Sequence, residues 1–240
     1  MTSTASPSSA PVAIVTAASQ GIGEACARTL SARGYRLALL ARSQALGALA
    51  QELGGVHVVG SVTDPRDLEK LVHATLNAYG RIDAVVNNTG HPPRGELLQI
   101  SDEEWHAALD LVILNAIRMT RLVTPVMLAA KKGAIVNIST IGAIQPDLAF
   151  PVSTVLRAGL NGFAKLFAQR YADSGLRMNN VLPGRIASYP QPDERVREIP
   201  ARRLGTVAEV SAAVAFLASD EASYVNGQSI IVDGGLVRGV

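Results

Sequence analysis

Two groups of residues in this chain could hold a phosphorylated ligand. The apolar run VAIVT leads into the turn TAASQGIG, Thr16 to Gly23, and then into the helical stretch GIGEACARTLSARG. Glycine in a tight turn lets the backbone approach a pyrophosphate. A helix starting there offers free N–H groups and the positive end of its dipole. Ser19, Gln20, Gly21, Ile22 and Gly23 are the turn residues concerned. The second group is LLARS, where Arg42 can make a forked, charge-assisted contact with a phosphate. No acidic residue lies within LLARS to receive ribose hydroxyls. A surface residue at a helix start is the plainer reading of Arg42.

The elements that must position these residues follow from hydrophobic patterning. Short apolar runs alternate with helical stretches from Val12 onward: RLALLA, HVVG, AVVNN, AIVNIS, RMNNVLP and QSIIVDGG each end a strand-like run. Asp64 followed by Pro65 opens one helix, Ser101 with Glu104 caps another, and Thr206 with Glu209 caps a third. The helix beginning near Trp105 is expected to run unbroken to about Lys131. Such alternation predicts a single α/β domain over 12–240, a doubly wound Rossmann sheet of about seven parallel strands with helices on both faces. Residues 1–11, MTSTASPSSAP, read as a loose polar tail, neither secretion signal nor anchor.

Composition excludes several functions. The 240 residues are 48% hydrophobic, which rules out bulk disorder. A formal charge of +2 is too small for a phosphate-tracking surface, so no nucleic-acid partner is expected; Arg202 and Arg203 read as a solvated loop. Cys26 is the only cysteine, so no internal disulfide or cysteine-based metal site is expected, and it reads as a small buried hydrophobe. No apolar stretch is expected to reach membrane-spanning length, and the expected location is cytoplasmic.

Five segments in order resemble the short-chain dehydrogenase/reductase family. TAASQGIG resembles its T-G-x-x-x-G-x-G turn, with Ala17 at the first glycine; Ala fits there only with a negative φ. SVTD, with Ser61 and Val62, resembles the adenine-pocket D-V-x-D. AVVNNTG, with Asn88, Thr89 and Gly90, resembles the N-N-A-G loop. NVLPGRIAS, with Pro183, Gly184, Ile186 and Ser188, resembles the loop at the nicotinamide end, and GQSIIVDGG resembles the C-terminal strand. The resemblance implies a nicotinamide cofactor, and Arg42 favours NADP (NADPH) over NAD.

The family's four catalytic positions are occupied unusually. Counting seven residues from Trp105 puts Val112 at the Asn position, with Asn115 nearly one turn on, either a partial substitute or a packing residue. The serine position is Thr140. The run Arg157-Ala158-Gly159-Leu160 aligns with K-A-G-L, so the Tyr-x-x-x-Lys positions hold Ser153 and Arg157. Serine is a weaker acid than a phenol and shorter. Arg157 keeps the charge and could still bond the nicotinamide ribose, but a guanidinium holds its proton more tightly than an ammonium and cannot relay protons as lysine does. Replacement acids or bases are sought in His91, Asp147 and Tyr189, and Arg94 and Arg185 could bind an acidic substrate or simply be solvated.

Three functions follow: an NADP-dependent oxidoreductase with a non-standard proton route, a catalytically silent NADP-binding sensor or partner subunit, or a lyase, dehydratase or isomerase. The family resemblance implies a homotetramer or homodimer, and LDLVILNAIRMTRLVTPVML is apolar over more than one face. The charged stretch 189–200 gives little lid and favours a small polar substrate.

Overall fold

The apolar runs become strands β1 (Val12–Thr16), β2 (Arg36–Ala41), β3 (Val56–Val59), β4 (Ala84–Asn87), β5 (Gly133–Ile138), β6 (Leu176–Pro183) and β7 (Ser229–Val232). The structure is a computed structural model and describes residues 10–188 and 192–239. All seven strands form one parallel sheet in the order β3-β2-β1-β4-β5-β6-β7. The chain winds outward from β1 to β3, then returns to start again at β4. The crevice at the strand ends between β1 and β4 is therefore where such a sheet offers a ligand site.

Helices α1 (Gly21–Ala32), α2 (Leu46–Glu52) and α8 (Val207–Ala218) cover one face; α3 (Pro65–Tyr79), α5 (Asn115–Ala130) and α6 (Pro151–Tyr171) cover the other. The strands show why both faces are dry. Ala13, Val15, Leu37 and Leu39 enter the core with Cys26 and Leu30 of α1, while Ile14, Ala38 and Leu40 enter the core with Leu71 of α3 and Val123 of α5. A side-chain period of two puts consecutive apolar residues into opposite cores, so a strand buried on both faces reads as a continuous apolar run. The caps form as the sequence predicts: Asp64 accepts from the Arg66 N–H, and Ser101–Glu104 and Thr206–Glu209 are reciprocal capping boxes.

Two local features depart from expectation. The helix from the Ser101 cap is not one unbroken α-helix. A π turn, Asp110–Leu114, joins α4 (Asp102–Leu109) to α5, and the Asn115 amide donates to the Leu111 carbonyl within that turn. Over Asp102–Ala130 this helical path is also apolar and long enough to pass for a membrane span, with an 18-residue window of mean hydropathy 1.5, contrary to expectation. Its apolar side is used inside the protein: Val112 packs with Val152 and Leu156 of α6, and Met119, Val123 and Met127 pack under the sheet.

A polar row crosses the sheet. Asn87 donates from Nδ2 to Asn137 Oδ1 at 2.9 Å, and Asn137 donates in turn to Asn180 Oδ1 at 2.9 Å. Asn180 then donates to Ser229 Oγ at 3.2 Å. These residues are direct partners in the β4–β5–β6–β7 register. The row ties together four neighbouring strands, and the loops that follow β4, β5 and β6 wall the cleft described next.

Candidate active site

The end of β1 is stapled to the end of β4. Thr16 Oγ1 donates to the Asn88 carbonyl at 2.7 Å and accepts from the Asn88 N–H at 2.9 Å, and Asn88 Nδ2 donates to the Ala17 carbonyl at 3.3 Å. These bonds hold the turn after β1 in a conformation that corrects one sequence expectation: Ala17 has φ +47°, not a negative value. The left-handed region costs a Cβ-bearing residue about 1 kcal/mol relative to glycine, and the surrounding bonds override that preference. Gly23 explains the crowding. A Cβ there would lie 2.2 Å from the Ala17 oxygen and 2.7 Å from Asn88 Nδ2. Gly21 also needs its freedom, with φ +58° at the first residue of α1. No side chain caps α1, since Gln20 makes no capping bond. Its first-turn N–H groups are left for a ligand, which is the cradle a pyrophosphate fits.

One cleft of about 1740 Å³ gathers the predicted residues. Small-molecule pockets occupy about 300–1,000 Å³, so this space suits a dinucleotide together with a second molecule. Along one stretch it is lined by Ser19, Gln20, Gly21, Ile22, Arg42, Ser61 and Val62. Beyond them come Asn88, Gly90, Pro183, Gly184, Ile186 and Ser188, then Thr140, Ser153 and Arg157. Gly23 is the exception, lying beneath the wall as a packing residue. Ser61 Oγ is engaged with Thr63 Oγ1 at 2.8 Å, and the Ser61 N–H donates to Asp67. That corner is therefore set by a local turn, not by the acidic residue of the family pattern. Pro183 ends β6, and a single bridge between Ile186 and Gly205 braces the loop that carries Ser188.

The far end of the cleft is built from β5 and α6. Ser139 donates to Asn161 Oδ1 at 3.0 Å. Thr140, next along, accepts from the Gly142 N–H at 3.3 Å as the cap of a short turn, Ile141–Ala143. Ser153 lies half-buried in the first turn of α6. One turn further, Arg157 is 6% exposed and donates from Nη1 to the Ile138 carbonyl. Among the described residues no carboxylate pairs with it. Burial pushes its pKa down to about 10. The group still carries its charge at neutral pH and moves no proton there.

Val112 is buried under α6, and Asn115, also buried, spends its amide on the π turn; neither lines the cleft, so Asn115 is the packing residue of the two readings. His91 and Arg94 do line it. Desolvation by the walls holds the His91 imidazole below its usual range, and the Arg157 and Arg94 cations add to the effect. Asp147 lines the cleft as well, with Oδ1 accepting from the Ala149 N–H at 2.9 Å. Arg185 is a clamp, donating to the Arg195 carbonyl and pairing with Glu198. Tyr189 lies outside the described residues. Among those described, no tyrosine and no lysine lines the cleft. Sequence reasoning missed Phe150 and Arg195, which line the same end; nothing in their spacing signals it, because β5, α6 and the β6 loop meet there only in space.

Fold and cleft together define a dinucleotide-binding protein with a second compartment at the strand ends. Residues 16–237 match the family model described as "Enoyl-(Acyl carrier protein) reductase". The chain is 34% identical over 235 residues to 3-oxoacyl-[acyl-carrier-protein] reductase FabG of Escherichia coli (strain K12), covering 94% of this chain and 96% of that one. It is 36% identical over 244 residues to oxidoreductase UcpA of the same strain, covering 93% of each. The TT0495 protein from Thermus thermophilus superposes with TM-score 0.86 at 31% identity, covering 94% of this chain and 98% of that one. YwfH, described as an NADPH-dependent reductase involved in bacilysin biosynthesis, superposes with TM-score 0.91 at 23% identity, covering 97% and 100%, and shows the shared fold. The chain belongs to the short-chain dehydrogenase/reductase family, whose members are oxidoreductases that bind a nicotinamide cofactor.

Proposed function

We propose that this chain is an NADP-dependent oxidoreductase working with a non-standard catalytic site, Thr140, Ser153 and Arg157 standing in place of the family's Ser, Tyr and Lys. One observation carries the reading: a single cleft joins Arg42 and the uncapped N-terminus of α1 to Thr140, Ser153 and Arg157. The glycine cradle fits the cofactor's pyrophosphate, Arg42 its 2′-phosphate, and Asn88, Gly90 and the 183–188 loop its nicotinamide half. Bound there, NADPH supplies a hydride.

The chain's own groups supply the remainder. Arg157 is a fixed cation in a dry wall and stabilises negative charge that develops near it. Thr140 and Ser153 offer hydroxyl donors. The proton comes from water or from His91, because neither serine nor a guanidinium has the acidity of a phenol. Such a site suits substrates whose electrophile needs little acid help, an iminium or a conjugated double bond. A homodimer or homotetramer and a cytoplasmic location complete the proposal.

Calorimetry with NADP and NAD, followed by NADPH consumption with carbonyl, iminium and conjugated substrates, tests the reading. Tighter NADP binding and turnover of the last two groups support it; tighter NAD binding overturns the cofactor choice. The silent sensor or partner subunit is the second reading, favoured by the absence of tyrosine and lysine among the described lining residues. Tight NADP binding without turnover in the whole panel supports that alternative.

A further inference from the structure

We infer that the inner end of the cleft binds a substrate carboxylate, held against the Arg157 guanidinium. This deepens the proposed function and rests on the cleft being the place where the substrate reacts.

Arg157 is buried in the cleft wall, and among the described residues its one hydrogen-bond partner is a neutral carbonyl, that of Ile138. A buried cation without an anion is a costly arrangement, and one carbonyl leaves most of the guanidinium's donors for a ligand. The cofactor does not meet that need: the glycine turn and Arg42 fit its phosphates, and a bond from Arg157 to the nicotinamide ribose, a neutral group, leaves the guanidinium charge without an anion. The approach is also positive. Arg94 and Arg195 lie over the Phe150 ring, their guanidinium carbons 4.5 and 5.6 Å from its centroid. Six arginines line the cleft against two carboxylates, Asp147 and Glu198. Glu198 is neutralised by Arg185, and Asp147 is bonded into its own turn. One buried planar fork with a single charge matches one carboxylate, in both geometry and charge.

Calorimetric titration of the full chain, with and without saturating NADP, tests the inference. The probes are pyruvate, acetoacetate and phenylpyruvate, each beside its methyl ester, and inorganic phosphate. At least one acid binds about tenfold or more tighter than its ester. Arg157→Met removes that preference and leaves ester binding alone, while Arg157→Lys keeps it. Far-UV circular dichroism and a thermal melt report whether each variant is folded. Should Arg157→Met not fold, Arg94→Ala/Arg195→Ala at the rim decides, with acid affinity falling several-fold against an unchanged ester. The inference is overturned if no acid outbinds its ester, if the preference survives Arg157→Met, if the rim variant leaves it untouched when that variant is the deciding one, or if phosphate binds tighter than every acid. Loss of NADP binding with the acid preference intact would remove the cofactor proposal and leave this one standing.

Discussion

The Arg157 guanidinium donates to the main-chain oxygen of Ile138, tying the cation on α6 to the end of the strand whose next residues are Ser139 and Thr140. The positive charge is thereby fixed in position at the inner end of the cleft. It also acts on its neighbour across the cleft, because Arg157 is one of the causes, after desolvation, that depress the His91 pKa.

His91 is therefore expected to titrate below the usual histidine value of ~6.5. Its folded-state pKa lies below the unfolded one, so as pH falls the unfolded chain takes up the proton first. The contribution to stability is whole above ~6.5 and is lost as pH falls through that value toward the folded pKa. Imidazole carbon–proton NMR spectra across pH check this. Arg157→Met should move the midpoint upward, and a wild-type midpoint above ~6.5 would contradict the electrostatics described.

Replacing a buried cation that has no carboxylate partner among the described residues should stabilise the fold. Arg157→Met is expected to gain about 1–2 kcal/mol, with the thermal midpoint rising by several degrees. A lower midpoint in the absence of ligand would mean that the bond to Ile138 outweighs the desolvation cost.

Arg42 is exposed just past the end of β2, where the proposed NADP reading puts the 2′-phosphate. Arg42→Ala should weaken NADP binding by roughly 10- to 100-fold and leave NAD binding within a factor of about two. Equal losses for both cofactors would show that Arg42 does not read the 2′-phosphate.

Ala17, at φ +47°, carries a methyl group where glycine would be at ease. Ala17→Gly is expected to stabilise the protein by about 1 kcal/mol in urea unfolding without weakening NADP binding. A loss of stability would mean that the methyl group's packing outweighs its strain.

What the sequence made legible was local. The Asp64 cap and the two capping boxes rest on residues within three positions of one another, and the strands on unbroken apolar runs; all are found where predicted. Most residues of the cleft were legible because they follow a strand, and parallel strand ends share one side of the sheet; Ser153 and Arg157, inside α6, were legible from the run 157–160 that resembles K-A-G-L. Three features did not follow from such signals. The φ of Ala17 is set through Asn88, which is remote in sequence. The π turn follows no breaker in DLVIL, and Asn115 belongs to it because its amide finds Leu111. The environment of Arg157 is determined by which groups β5, α6 and the β4 loop bring near it, and no spacing rule encodes a missing carboxylate.

The central proposal is that this cleft moves a hydride with Ser153 and Arg157 standing where the family pattern has its tyrosine and lysine. Incubation with NADPH deuterated at either face of nicotinamide C4, in the presence of conjugated and iminium acids, tests it most directly by mass spectrometry of the products. The account predicts one deuterium in a product from one face only. Tight NADPH binding with no label transferred from either face would contradict it.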